Sequence, residues 1–380
     1  MKCALCGSNH ISRIFRLCDN MKIMGKSFPD EPSFVAQCDD CGLVFTDSTF
    51  TQEDLLSYYR EGAVAPNYYD MFGKEDTEEY YMHLLDLIKD YIDYKSSILD
   101  IAGSWGEFSG YLNGLGYKNV IDLDPNEKCI KSASEKGIKT IQADTTDMSK
   151  VEKDSVDLVI LNHTMEHILD VKTAMEEIDR VLKRDGYLFI EVPDVNGYEK
   201  EAAAPFNFLT YEHVIHFSMN DIENLAAIYG FEIVRSGYYY KKVSNYPSIY
   251  AVMKKSKESA AKYSSQPGES IRRYIDKSKN VLSAFIEPLR VSGEPLILWG
   301  IGASTTILID AFEGCNVSAL IDRNPARQGL EFNINNRKYK VQDPSTVSEG
   351  TIVILSIPYY ESIAKQIREM GLKNKIVALK

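Results

Sequence analysis

No apolar run in this chain approaches the roughly 18–20 residues needed to span a bilayer. The opening stretch MKCALCGSNH has no apolar signal core. Both absences point to a soluble cytoplasmic protein without a membrane partner. Basic charge is in deficit: 43 Lys and Arg stand against 55 Asp and Glu, a formal net charge of -12. Such a surface repels phosphate backbones, which excludes nucleic acid as a partner. The only basic clusters, KKVSNYPSIYAVMKKSK and RRYIDKSK, read as a solvated linker face. Histidine is scarce, with six in 380 residues. That makes any pair of histidines informative.

What is present begins with cysteine. Cys3 and Cys6 form CALCG, and Cys38 and Cys41 form CDDCG. Two Cys-x-x-Cys knuckles supply four thiolates, the donor set of a tetrahedral zinc site. Gly7 and Gly42 allow the tight turn after each knuckle. Disulfides are disfavoured in a cytosolic chain. Four sulfurs close the coordination shell, so the expected zinc is structural and not catalytic.

The pattern of elements divides the chain into an N-terminal zinc-binding domain (1–72), a central domain (73–255), a linker helix (256–290) and a C-terminal domain (291–380). The central segment alternates strands and helices: SSILDIAG, NVIDLDP, GIKTIQAD, SVDLVILNH and GYLFIEVPD are strands. DVKTAMEEIDRVLKRDG is expected as one helix. FEIVRSGYYY and SIYAVMKK close the segment as a hairpin at one edge. Alternation of this kind implies an α/β fold with a parallel sheet. The C-terminal segment repeats the scheme on a smaller scale, with PLILWGIG, NVSALIDRNP, TIVILSIP and KIVAL as strands.

Ligands of such sheets bind at the carboxyl ends of the strands. In ILDIAGSWGEF, Asp100 closes a strand, and Gly103 and Gly106 line the following turn. The loop is neither GxGxxG nor a phosphate-binding loop with lysine. Asp124 ends the second strand, where a carboxylate can accept from both hydroxyls of a ribose. Asp144 ends the third strand, where it can meet an adenine amino group. Asn162 ends the fourth. Asp100, Asp124 and Asp144 on successive strand ends, within a seven-strand pattern, resemble the class I S-adenosylmethionine-dependent methyltransferases. The family's usual loop is Asp-x-Gly-x-Gly-x-Gly. Here Ala102 and Ser104 replace two glycines and Gly106 keeps its place. The resemblance implies S-adenosylmethionine as cofactor, held by Asp100, Ala102, Gly103, Gly106, Asp124, Asp144 and Asn162.

Two polar runs follow the fourth and fifth strands: NHTMEHILD, with His163, Glu166 and His167, and TYEHVIHFS, with Tyr211, Glu212, His213 and His216. Both fall on the rim where the methyl donor would sit. Methyl transfer to nitrogen or oxygen asks little of a protein beyond alignment. Transfer to carbon requires a base and a holder for enolate charge. The whole chain resembles the nucleotide-sugar C-methyltransferases, which have an N-terminal zinc domain, a central donor domain and a C-terminal Rossmann-like domain. The resemblance implies that His213 is the base, with Glu212, His167 and Tyr211 around the sugar, and that the acceptor is a nucleotide-linked keto-deoxysugar. The family tyrosine two residues before the glutamate is Thr210 here. A second family tyrosine corresponds to Tyr59, Tyr68 or Tyr69. His216 precedes Ser218, the expected N-cap of the next helix, and is read as structural.

Three other readings stay open: an O- or N-methyltransferase of the same build, a scaffold that has lost the donor, and an NAD-dependent sugar-modifying enzyme using WGIGAST. In that last loop Gly300 and Gly302 fit a dinucleotide fingerprint, but Thr305 stands at the third glycine position.

Overall fold

The computed structural model describes residues 2–18, 22–23, 26–27, 33–49, 51–61, 67–200, 205–210, 212–241, 246–257, 259–301, 306–325, 327–356 and 360–379. At its centre is a seven-stranded sheet. In chain order its strands are β1 (Ile98–Ile101), β2 (Val120–Asp124), β3 (Lys139–Gln142), β4 (Val156–Asn162), β5 (Leu182–Pro193), β6 (Phe231–Lys241) and β7 (Tyr246–Lys255). They lie in the order β6-β7-β5-β4-β1-β2-β3. Strands β1 to β5 run parallel to one another, and β7 is antiparallel to both β5 and β6. The order reverses between β1 and β4, so a crevice opens at their carboxyl ends.

The apolar runs explain why these segments are strands covered on both faces. ILDI is buried throughout, and most of VDLVILN is buried too. Alternate residues serve opposite layers. Leu99, Val159 and Leu161 pack with Met175 and Ile178 of helix Val171–Val181. Ile98, Leu158 and Ile160 pack with Tyr80, Leu84 and Leu87 of helix Lys74–Ile88. β6 lies at the edge, and its side chains alternate between exposed and half-buried, the mark of a strand with one wet face. The helix expected to run from Asp170 to Gly186 stops at Val181. Leu182 turns extended and pairs with Val156, so β5 begins four residues before the predicted strand. Burial of Leu182 against β4 outweighs the helical propensity of LKRD.

The N-terminal sheet has the order Ile11–Cys18, Ser33–Cys38, Val44–Asp47, Ile215–His216. Its fourth strand comes from the TYEHVIHFS stretch, 170 residues away in sequence, and pairs Ile215 with Phe45 and His216 with Val44. That stretch was expected only as a rim loop leading into a helix. It is also an edge strand that joins the cysteine knuckles to the central sheet.

Helix Gln266–Ser292, expected as a linker, is packed along its length. Ile271, Tyr274 and Ile275 share a core with Val35 and Val44 of the N-terminal sheet and with Leu296 and Leu298 of the C-terminal one. The C-terminal sheet has six strands, centred on Leu296–Trp299. It includes a hairpin, Glu331–Ile334 with Arg337–Gln342, that the sequence reading missed. Asn335 and Asn336 turn it with φ of 53° and 58°, a left-handed pair typical of two-residue hairpin turns. Gly302 and Thr305 lie outside the described residues. Among the described residues no helix is long and apolar enough to cross a membrane.

Candidate active site

The loop after β1 carries the donor rim. Ala102 and Ser104 have φ of 56° and 55°, and Gly106 has 68°. The two residues that replace family glycines therefore keep a glycine-like backbone. Ala102 is exposed, so its methyl group is accommodated in solvent. Gly103 is required for a different reason: a Cβ there would collide with the carboxylate of Asp122. Asp124, at the end of β2, accepts from Ser104 N–H through Oδ2 (3.1 Å) and from Asn126 N–H through Oδ1 (2.8 Å). Each oxygen keeps a lone pair for an incoming hydroxyl. Burial is the largest cause that raises the Asp124 carboxyl, to about 6.

Asp144 accepts from Thr146 N–H and Oγ1–H at Oδ1, and from Arg60 at Oδ2 (3.3 Å). Arg60 belongs to helix Gln52–Glu61, which thus reaches over the donor rim. Asn162 Oδ1 accepts from Tyr80 O–H (2.9 Å). Asp100 is turned inward and accepts from Ser109 Oγ–H (2.8 Å). Burial is the largest cause that raises its carboxyl, to about 7. The residues at the rim, Ala102, Gly103, Asp124, Asp144 and Asn162, fit a nucleoside with a free ribose edge. Asp100 supports them from beneath.

The acceptor rim forms where β4, the TYEHVIHFS stretch and helix Gln52–Glu61 meet. The rings of His167 and His213 stand edge to face with centroids 5.0 Å apart. His167 Nδ1 lies 2.8 Å from the main-chain oxygen of Glu212 and 2.9 Å from Tyr59 Oη. A carbonyl only accepts, so Nδ1 carries the hydrogen, and Nε2 is left for other work. The Glu212 carboxylate accepts from Tyr58 O–H in a short contact. The His213 main chain is fixed on both sides. Its carbonyl accepts from Thr46 Oγ1–H (3.3 Å), and its N–H donates to Thr210 Oγ1 (3.3 Å). Thr46 N–H donates to Val214 O, and Val214 N–H donates to Glu166 O, each at 2.9 Å. Burial, followed by the charges of neighbouring His167, His216 and His163, holds His213 well below the usual histidine range, against a backbone hydrogen bond to Phe208 that raises it. It is therefore neutral near pH 7.

The structure brings His167, His213, Glu212 and Tyr59 together. Tyr211 lies outside the described residues. Tyr68 goes elsewhere: its hydroxyl accepts from Lys241 Nζ (2.9 Å), and Lys241 sits over the rings of Tyr68 and Tyr80. Tyr69 packs edge-on against Tyr81. His216 is buried, with Nδ1 3.2 Å from Tyr198 Oη. Tyr58, Arg60 and Glu191 were missed by sequence reasoning. Tyr58 and Arg60 had one available signal, since they flank a tyrosine that the resemblance had already singled out.

The four cysteines converge on one point. Cys3 and Cys41 Sγ lie 3.5 Å apart, as do Cys6 and Cys38 Sγ, and all four sulfurs lie within 4.8 Å of one another. A tetrahedron of thiolates about 2.3 Å from zinc has edges of about 3.8 Å, so this set fits the ion. In each knuckle the glycine N–H donates to the carbonyl of the first cysteine (Gly7 to Cys3, Gly42 to Cys38), with φ of 73° and 85°.

Residues 74–236 match a family model described as a methyltransferase domain. Over 102 residues the chain is 33% identical to the mitochondrial ubiquinone biosynthesis O-methyltransferase of Bos taurus, a match that covers 24% of this chain and 27% of that protein. It is 27% identical over 165 residues to an uncharacterised protein of Methanocaldococcus jannaschii, covering 39% of this chain and 77% of that one. The chain thus spans about a quarter of the bovine relative. Similar solved structures include a SAM-dependent methyltransferase from Archaeoglobus fulgidus. It has a TM-score of 0.40 and 16% identity, over 50% of this chain and 97% of that one. Another is a SAM-dependent methyltransferase from Thermotoga maritima, described as a possible histamine N-methyltransferase. Its TM-score is 0.38 and its identity 19%, over 48% and 91% of the two chains. Residues 74–236 thus match a methyltransferase domain, and they contain most of the seven-stranded sheet.

Proposed function

We propose that the protein methylates a carbon atom of a small-molecule acceptor, a nucleotide-linked keto-deoxysugar. The observation that carries this reading is the pairing of two histidines with different surroundings on the acceptor rim, beside a carboxylate and two phenols. Alignment alone would not call for such a set. S-adenosylmethionine, when bound, supplies an electrophilic methyl group with a good leaving group. Asp124 would hold its ribose, Asp144 its adenine, and the Ala102–Gly106 loop its backbone-facing edge.

The residues of the acceptor rim do the remaining chemistry. His213 is neutral, and its ring accepts the proton from the carbon next to the ketone. Its position is set by Thr46 and Thr210 through the main chain. His167, with its hydrogen on Nδ1, turns Nε2 to the sugar, where it accepts from a hydroxyl. Tyr58 and Tyr59 hold Glu212 and His167 in register. The cysteine cluster would carry a structural zinc that braces the strand Val44–Asp47.

The test is turnover with methyl-labelled S-adenosylmethionine and a panel of nucleotide-linked keto-sugars, read by carbon NMR. A new carbon-bound methyl is expected. Wild-type protein should also exchange the acceptor C–H with deuterated water. A product with its methyl on oxygen or nitrogen, as the name of the bovine relative would suggest, refutes carbon transfer.

A further inference from the structure

Helix Gln52–Glu61 is docked at both ends on the central domain. At its start, Gln52 Oε1 accepts from the N–H groups of Leu169 (2.9 Å) and Asp170 (3.1 Å). At its end, the Tyr59 carbonyl accepts from Asn126 Nδ2 (2.7 Å), and Asn126 N–H donates to Asp124 Oδ1. Leu55, Leu56 and Tyr58 are buried. The helix therefore delivers Arg60 to a fixed place just past the ends of β2 and β3. There the guanidinium is bracketed by two carboxylates, with Nη1 2.8 Å from Glu53 Oε1 and Nη2 3.3 Å from Asp144 Oδ2. The two partners differ. The Glu53 side chain is 71% exposed and that of Asp144 only 10%. An exposed ion pair such as the first adds little stability. The second reaches the donor rim. Asp144 Oδ1 accepts both hydrogen bonds from Thr146, and Oδ2 accepts from Arg60. A carboxylate oxygen has two acceptor positions, so Oδ2 can take a second donor.

We propose that Arg60 is a specificity-determining residue for the donor, reading the adenine ring jointly with Asp144. The inference rests on the placement of adenine at Asp144 proposed above and names the residue that completes it. Adenine presents an amino donor flanked by ring-nitrogen acceptors, N1 on one side and N7 on the other. A carboxylate with a guanidinium beside it presents the opposite order, an acceptor next to a donor. Asp144 Oδ2 accepts from the amino group. Arg60, which carries more N–H donors than its two bonds use, donates to a flanking ring nitrogen. Hypoxanthine has a carbonyl oxygen where adenine has its amino group. That oxygen would face the Asp144 carboxylate, acceptor against acceptor, and the base would be rejected. A bland use for Arg60 is as a cation in the last turn of its helix. That use involves no nucleobase, which makes the two separable.

Titration calorimetry of the full chain tests this with S-adenosylhomocysteine, its 1-deaza and 7-deaza analogues, and S-inosylhomocysteine. In wild type, one of the two deaza analogues and the inosine analogue should each bind about tenfold more weakly, the low end for a hydrogen bond to a charged group. Arg60→Ala should weaken S-adenosylhomocysteine by the same factor. The variant should then bind that deaza analogue as well as it binds S-adenosylhomocysteine, because two deletions that remove one bond do not add. Arg60→Lys should recover part of the affinity. Additive losses overturn the proposal, since Arg60 then acts apart from the ring nitrogen, as a helix-end cation would. Wild type that binds both deaza analogues as tightly as S-adenosylhomocysteine overturns it without any variant. Asp144→Asn separates this inference from the reading beneath it. If Asp144→Asn weakens S-adenosylhomocysteine while the losses at Arg60 are additive, only the role of Arg60 falls. If Asp144→Asn binds as wild type does, the placement of adenine falls and the role of Arg60 with it.

Discussion

Exchanging Ala102 and Ser104 for glycine should stabilise the central domain, and adding a methyl group at Gly103 should destabilise it. Ala102 and Ser104 hold φ of 56° and 55°. A left-handed conformation costs a residue with a Cβ about 1–2 kcal/mol. Glycine removes that cost but brings back about 0.5–1 kcal/mol through a freer unfolded chain. The net gain is about 0.5–1 kcal/mol at each site. For a domain of this size that is a rise of about 2–4 °C in Tm per kcal/mol. At Gly103 the reasoning reverses. Its φ needs no glycine, but a Cβ would strike the Asp122 carboxylate, which is buried and packed. Overpacking of this kind costs about 1–3 kcal/mol. Calorimetry of Ala102→Gly, Ser104→Gly and Gly103→Ala against wild type measures all three. If the glycine variants melt lower than wild type and Gly103→Ala melts the same, the loop conformation and its strain are refuted.

Asp124→Asn should weaken binding of S-adenosylhomocysteine by about 1.5–3 kcal/mol, the range for hydrogen bonds to a charged group, as read by titration calorimetry. His213→Ala should lower turnover by about 10²–10⁴-fold and leave donor affinity unchanged. Elemental analysis should find about one zinc per chain, and Cys41→Ser or a strong chelator should lower the melting temperature and turnover together. Burial, then Asp100 and Asp124, raise the Asp122 carboxyl to about 9. Its folded value lies above its unfolded value of about 4, so the stability it contributes is full below about pH 4 and is lost as pH rises through about 9. Urea midpoints of wild type should therefore fall between those limits relative to Asp122→Asn; parallel curves would count against a protonated Asp122.

Much of this was legible because the chemistry is local. Two CxxCG knuckles present four thiols that the fold brings together, and the buried run ILDI is a central strand. The strand ends were legible for a related reason. They recur in order along the chain, so Asp124 was placed at the end of β2, and Asp144 just past β3, by counting. What failed was non-local. Nothing in the two residues Ile215 and His216 announces that they complete a sheet begun at Ile11. Tyr58 and Arg60 are ordinary helix residues until the fold sets them beside Glu212 and Asp144. Ala102 and Ser104 looked like losses in a glycine loop, since sequence shows a missing glycine but not the backbone that survives it. The Asn335–Asn336 turn was readable and went unread.

The pairing of Ile215–His216 with Val44–Phe45 also bears on why a cysteine cluster accompanies this domain. The proposed base needs a rigid mount, and loops of this kind are usually mobile. Here the mount is built by the N-terminal sheet: Thr46 bonds the carbonyls of His213 and Val214, and Val214 N–H bonds back to Glu166 O. The strand carrying Thr46 begins only three residues after Cys41. A sheet of four short strands has little core of its own, and a closed thiolate site would supply the missing stability. The bracing therefore acts first on the stretch that carries His213. Asp124 and the Ala102–Gly106 loop hang from β1 and β2, which are set by the large core of the central sheet.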